Sequence, residues 1–256
     1  MKRLNPTLFS AAAAAMLLLG SLLQPLPAIC RSVAESPAAQ ADSTETGARS
    51  EWLPLFTAVV VDAPVDIRFV EIPDTEAPKI VYDTKGSYTT KFRAEVRDKV
   101  LRISERRDAR RAERTTVTVC YNALERVSIM EASATFDGPL KATLLDLTVG
   151  EGAHLTAALE VQDLQMELTG SSEAELSGEA RYLSLFVSTG KVEASTLESM
   201  SVRVNATSSG HASLWVTDRF EAKTSTGGTI AYKGDPTILI TGEKFMGGSI
   251  SRLGEE

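Results

Sequence analysis

Glu175 and Glu193 are the two residues whose type and spacing could do chemistry. The sequence around them repeats every 18 or 19 residues. Matching Ala174 to Val192 and Ala212 puts Glu173, Lys191 and His211 in one column and Glu175, Glu193 and Ser213 in the next. If each repeat is one coil of a stacked structure, the two carboxylates stand ~5 Å apart. Such a pair could share a proton, hold Ca2+, or act as nucleophile and acid of a retaining glycosidase. The competing reading is a solvated ladder beside a cross-strand Glu173–Lys191 ion pair. It is preferred, because no cleft is implied and little aromatic surface flanks the glutamates. No residue is therefore assigned as catalytic, cofactor-binding or metal-ligating, and the expectation is a protein that is not an enzyme and uses no cofactor.

Phe186, between Leu185 and Val187, and Trp215, between Leu214 and Val216, are the other surface candidates. Each stands at an outward place in an alternating segment, as glycan and protein contacts often do. They fall on different strands of adjacent coils, and a covering segment from the N-terminal region is the expected reason for their apolar character. His154 and His211 stand beside corners and read as surface residues. The run from Glu105 to Arg114 carries five arginines and three acids. The interspersed acids make it a solvated loop rather than an anion-binding patch.

The remaining chemistry is narrowed by what is missing. The sequence has no phosphate-binding Gly-rich loop with Lys, no His-Glu-x-x-His, no Gly-x-Ser-x-Gly, and no Gly-Gly-x-Gly-x-Asp calcium repeat. Two cysteines and two histidines exclude a disulfide-rich scaffold and most thiolate or imidazole metal centres. A net charge of −7 argues against nucleic acid as partner. With 43% hydrophobic and 24% charged residues the chain is globular, and its 256 residues can bury a large core.

These candidates must be positioned by strands. Val59-Val60-Val61, then Val65, Ile67 and Phe69, then Ile80-Val81-Tyr82, Phe92-Ala94-Val96, and Leu101 with Ile103 alternate with polar residues. In the second half Val127, Leu145, Leu164, Leu183, Val202, Phe220 and Ile238 form a column with steps of 18 or 19 residues. Apolar residues at every second place follow each member, such as Leu164-Met166-Leu168 and Leu183-Leu185-Val187. Small-residue corners come next: Gly150-Glu151-Gly152, Gly170-Ser171-Ser172, Ser188-Thr189-Gly190, Ser208-Ser209-Gly210 and Thr226-Gly227-Gly228. A second short strand then starts the other face of the coil. A fixed period near 20 with period-2 alternation inside it predicts a parallel β-helix, a solenoid of stacked coils. The spacing does not fit an aliphatic residue at every sixth place, and parallel crossovers favour the right hand, so a right-handed β-helix is expected.

The N-terminus reads as an address. Lys2 and Arg3 precede an apolar run from Ala11 to Leu23, followed by Pro25, Pro27 and Ala28. This is the layout of a secretory signal peptide over residues 1–28. The run spans roughly 20 Å as a helix, too short for the hydrocarbon core of a membrane. Ser32-Val33-Ala34 and Ala39-Gln40-Ala41 also match a small-x-small cleavage pattern, though farther from the apolar run. Pro27-Ala28-Ile29 is a poor match to the sequence that precedes a lipidated cysteine, so lipid anchoring at Cys30 is not favoured. Cys120, within an apolar strand, reads as a small buried hydrophobe, with pairing to a retained Cys30 as the alternative. Residues 29–51 have almost no large apolar side chains and read as a flexible tether.

With these features in order, the sequence resembles the putative auto-transporter adhesin, head GIN domain, a family of exported bacterial domains. The residues that carry the resemblance are the opening strands from Phe56 to Ile67, the element Asp98-Lys99-Val100-Leu101-Arg102-Ile103, the Ser/Thr-Gly corners, and the closing Tyr232-Lys233-Gly234-Asp235-Pro236. It covers roughly residues 54 to 250. The family's Gly-Ser-Gly corners are only partly kept, at Gly170-Ser171-Ser172 and Ser208-Ser209-Gly210. The resemblance implies a right-handed β-helix in the periplasm or on the cell surface. It implies no established activity, and no functional residue is carried over.

The expected protein is thus all-β: a right-handed parallel β-helix over residues 52–256, with regular coils about 124–250 and an N-terminal strand region packed on or capping it. It is read as an exported envelope or surface protein with a binding or adhesion-type module. A cell-surface glycan or envelope protein is the expected partner, with no nucleic acid and no transmembrane span after processing. The alternative is a carbohydrate-active enzyme acting on an acidic polysaccharide.

Overall fold

The computed structural model describes residues 47–85, 91–106, 113–242 and 246–254. The expected signal segment, most of the expected tether and the core of the arginine-rich run lie outside them. Among the described residues there is no helix. The strands β1 (Ala48–Trp52), β2 (Ala58–Asp62), β3 (Val65–Glu71), β4 (Lys79–Asp83), β5 (Arg93–Arg97), β6 (Val100–Ser104), β7 (Thr115–Tyr121) and β8 (Arg126–Met130) are short. Long strands follow: β9 (Ser133–Gly150), β10 (His154–Leu168), β11 (Glu173–Ser188), β12 (Lys191–Thr207) and β13 (His211–Thr224). The chain closes with β14 (Thr229–Lys233), β15 (Ile238–Thr241) and β16 (Ser249–Arg252). Together they wind a β-solenoid of about seven turns.

Each long strand serves two coils. It begins on one face, bends, and ends on the opposite face of the next coil. We call the face built by the C-terminal halves of β9 to β13 the front, and the face built by their N-terminal halves the back. On the front, Leu145, Leu164, Leu183, Val202 and Phe220 are register partners in succession. On the back, Leu155, Ala174, Val192, Ala212 and Ile230 are. All ten side chains are buried. Period-2 alternation produces this directly: every second residue of a strand points inward, and parallel stacking puts like on like.

The column expected from sequence departs at both ends. Val127 pairs with Leu147, not Leu145, and Leu239, not Ile238, stands over Phe220. Ile238 and Ile240 are exposed. β15 lies at the end of the stack and has only one pairing partner. In between, differences in coil length are absorbed at the bend, where the register shifts between Glu175 and Ser177 and again between Ala194 and Glu198. At this bend Gly178 takes φ +101°, and a Cβ there would sit 2.2 Å from the Leu159 carbonyl oxygen. The position admits only glycine in this geometry.

The corners turn through the left-handed region even where glycine is absent: Glu151, Ser171, Thr189, Ser208, Ser209 and Thr226 all have φ between 50° and 66°. Stacking holds them. The Gly152 N–H donates to the Gly170 carbonyl at 2.9 Å, and the Thr189 hydroxyl donates to the Ser208 carbonyl at 3.2 Å. Corner-to-corner bonds of this kind offset the backbone cost of non-glycine residues at positive φ.

The N-terminal strands do more than cap the helix: they form its first coils. β2 lies between β6 and β8, and β3 lies between β7 and β9, all parallel. The coil made by β6 and β7 therefore precedes the coil made by β2 and β3 in space but follows it in sequence. β5 pairs antiparallel with β6, β4 with β7, and β1 with β4. Strand pairing thus begins at Ala48, ahead of Trp52. The aromatic rings of Phe69 and Phe136 stack at 4.7 Å between neighbouring coils, with Tyr121 edge-on at 6.4 Å from Phe69.

Cys120 is fully buried but faces away from the solenoid interior, since it alternates with inward Val117 and Val119. Its burial is as expected of a small hydrophobe, but it is disulfide-bonded, which corrects the preference for an unpaired residue. The chain's other cysteine, Cys30, lies outside the described residues. Of the arginine-rich run the structure describes the ends: the Thr115 hydroxyl donates to buried Glu105 at 2.9 Å, and Arg114 lies 3.5 Å from Asp66. The anion-patch question itself falls on undescribed residues.

Candidate functional site

The back of the solenoid carries the glutamate pair. Glu175 and Glu193 are register partners on β11 and β12, between Thr156 of one neighbouring coil and Ser213 of the other. The column beside them runs His154, Glu173, Lys191, His211, so the two histidines share one column at opposite ends of Glu173 and Lys191. The Glu173 carboxylate Oε2 lies 3.4 Å from His154 Nδ1, in place of the expected pairing with Lys191. Among the described residues no group of three or more His, Cys, Asp or Glu side chains converges to hold a metal ion. Neither Glu175 nor Glu193 lines any of the hollows described below. This is an open, solvated ladder.

Trp215 is engaged within the fold. It follows Glu160, Glu179 and Glu198 in a column of register partners and precedes Lys233. The Lys233 ammonium lies 4.4 Å from the indole centroid, a cation–π contact. Lys233 of the next coil thus supplies part of its cover; the expected N-terminal cover falls on residues outside those described. At the other end of this column Lys141 pairs with Glu160 at 3.4 Å. A hollow of about 710 Å³ runs along these glutamates, with Arg181, Met200 and Thr217 on its far side. Sequence reasoning missed the ladder although its members are 19 residues apart. They lie at the bend, where the register shifts and the apolar alternation that drew attention elsewhere is interrupted, as at exposed Gly178 and buried Ser199.

Phe186 lies on the front, and it has company. Tyr182, four places earlier on β11, points out of the same face with Ser184 between them. Tyr182 is 47% and Phe186 36% exposed, and no described strand covers either. Around them the front is polar: Gln165, Ser184 and Arg203 are register partners, as are Asp163, Tyr182 and Ser201, and Glu167, Phe186 and Asn205. A hollow of about 390 Å³ lies on the Phe186 side and one of about 350 Å³ on the Tyr182 side; Gln165, Ser184 and Arg203 line both. The small Ser184 side chain makes the floor, and the flanking rings stand above it. Two of the arginines here are paired: Arg126 lies 3.5 Å from Asp146, and Arg203 lies 3.3 Å from Glu221; Arg219 lines the Tyr182-side hollow as well. Tyr182 escaped notice in the sequence because it follows Arg181 at a corner, where two successive residues point outward.

The coil architecture and the order of corners define the family. The profile of the putative auto-transporter adhesin, head GIN domain, matches residues 55–236. The chain belongs to this family. Its head GIN domain is similar to a putative adhesin from Bacteroides fragilis, at 20% identity and a TM-score of 0.71, covering 80% of this chain and 96% of that one. It is similar also to a putative lipid binding protein from Parabacteroides distasonis, at 18% identity and a TM-score of 0.59, and to a putative adhesin from the same species, at 16% and 0.57. Both cover 80% of this chain and 96% of theirs. At these identities the likeness shows the fold alone. No curated protein matches the head GIN chain. No helix among the described residues is long and apolar enough to cross a membrane.

Proposed function

We propose that this head GIN protein is an exported, non-enzymatic binding module of the bacterial envelope, of adhesion type. Residues 1–28 direct export, residues 29–51 act largely as tether, and the solenoid presents its front as the contact face. The observation that carries this reading is the unshielded pair Tyr182 and Phe186 above a polar floor on a rigid face. Exposed rings on a polar sheet are a feature of recognition surfaces, because packing alone gives no reason to leave them in water. The names of the Bacteroides and Parabacteroides relatives, adhesins and a lipid binding protein, support a surface module. The open glutamate ladder at Glu175 and Glu193 gives an enzyme no enclosed site.

The test is twofold. Intact-mass analysis of protein recovered from the producing cell reads the processed N-terminus, with a cut at or shortly after Ala28 expected. Purified protein is then incubated with isolated cell envelopes and, separately, with acidic polysaccharides. Retention on envelopes without release of new reducing ends is the expected result. Polysaccharide cleavage lost in a Glu175→Gln, Glu193→Gln double variant would overturn it.

A further inference from the structure

We infer that the trough bounded by Tyr182 and Phe186 is a subsite for a neutral oligosaccharide. This deepens the proposed surface function and rests on it. The two rings are i and i+4 on one strand and hence ~13 Å apart along it, the scale of a short run of linked sugars. Between them lies Ser184, too small to block a ligand, so the two hollows join across one floor. Sugars present apolar C–H faces and hydroxyl edges in turn. The trough offers the complement: aromatic faces at each end, and Gln165, Arg203, Ser201 and Asn205 between and beside them as donors and acceptors.

The charge pattern selects among ligands. A polyanion needs cations in excess, but the arginines lining the trough, Arg126, Arg203 and Arg219, meet the carboxylates of Asp146, Asp163, Glu167 and Glu221, and Arg203 and Arg126 already face Glu221 and Asp146. An acyl chain needs continuous apolar surface, and here the apolar surface is interrupted by Ser184. A neutral glycan meets neither obstacle. The front is also rigid, since its strands are hydrogen-bonded on both sides, so little ordering cost opposes binding.

The experiment is calorimetric titration of the purified protein with cellohexaose, mannohexaose and N-acetylchitohexaose. A galacturonic acid hexamer and phosphatidylglycerol–phosphatidylethanolamine vesicles serve as competing arms. Binding of at least one neutral hexamer is expected, with Tyr182→Ala and Phe186→Ala each weakening it about tenfold and the double variant abolishing it. Trp215→Ala, on another face, should leave it unchanged. Both rings are partly exposed, so the single variants should fold, with a cooperative thermal transition at most modestly below the parent's. Failure of all three neutral sugars, binding of the acidic hexamer or vesicles instead, or sugar binding indifferent to both ring deletions would each overturn the subsite. Envelope retention that survives in the double variant would overturn the subsite while leaving the surface-module reading in place.

Discussion

Glu175 and Glu193 stand directly beside each other on adjacent coils, like charge against like charge, with no ion-pair partner for either among the described residues. Such a pair is a cost to the fold rather than a support, whereas a pair of opposite charges in a sheet contributes roughly 0.2–1 kcal/mol. Replacing Glu193 with Lys turns repulsion into attraction. Glu193→Lys should raise the urea midpoint at low salt, and the gain should shrink as salt screens it. A drop in stability, or a salt-independent change, would show that the pair is held by something other than solvent.

The small residue that opens the back face of each coil is there for space. An added Cβ at Gly228 would lie 2.2 Å from the Ala206 carbonyl oxygen, a backbone atom of the preceding coil. Relief requires the coils to separate or slide. Gly228→Ala should therefore destabilise by about 1–3 kcal/mol, read from denaturant unfolding. An unchanged midpoint would mean the stack is looser than its spacing implies.

Two buried serines should respond oppositely. The Ser172 hydroxyl donates to the Thr169 carbonyl at 2.6 Å, tying a corner. The Ser199 hydroxyl is buried in the interior at the bend without a hydrogen-bond partner. Ser172→Ala should cost about 1 kcal/mol, while Ser199→Ala should be neutral or stabilising, because it removes an unsatisfied buried polar group. Equal losses in thermal unfolding would sink this distinction.

Burial raises the Tyr121 hydroxyl pKa well above its ordinary value of 10.0, with the neighbouring Glu71 charge adding to the shift. Tyr82 is raised too, by burial first and then by its 2.7 Å hydrogen bond to Glu51. A raised acid in the folded state means that above pH 10 the unfolded chain loses protons the folded one keeps. Stability is therefore intact below pH 10 and falls as pH rises beyond it toward the folded-state pKa. Tyr121→Phe should flatten most of that alkaline decline in a pH series of denaturant unfolding, with a residue left by Tyr82. A decline as steep as the parent's would rule Tyr121 out as its source.

Sequence alone determined the repeating part of this protein. The alternation of inward residues, the 18- or 19-residue period and the small corners are local signals, and parallel stacking multiplies each of them by the number of coils. For this reason the Glu175–Glu193 register and the placement of Phe186 and Trp215 on different strands were legible in the sequence. The tertiary structure alone decided what depends on non-local choices. The insertion of β2 and β3 between coils that follow them in sequence is one, because which strand pairs with which is set by closing loops of very different length. The slip of Val127 to Leu147 and of Phe220 to Leu239 is another. The pairing of exposed Tyr182 with Phe186 across Ser184 is the last, since a corner breaks the period that tells a reader which way a side chain points. The trough exists only once stacking has put Gln165 and Arg203 on either side of its floor.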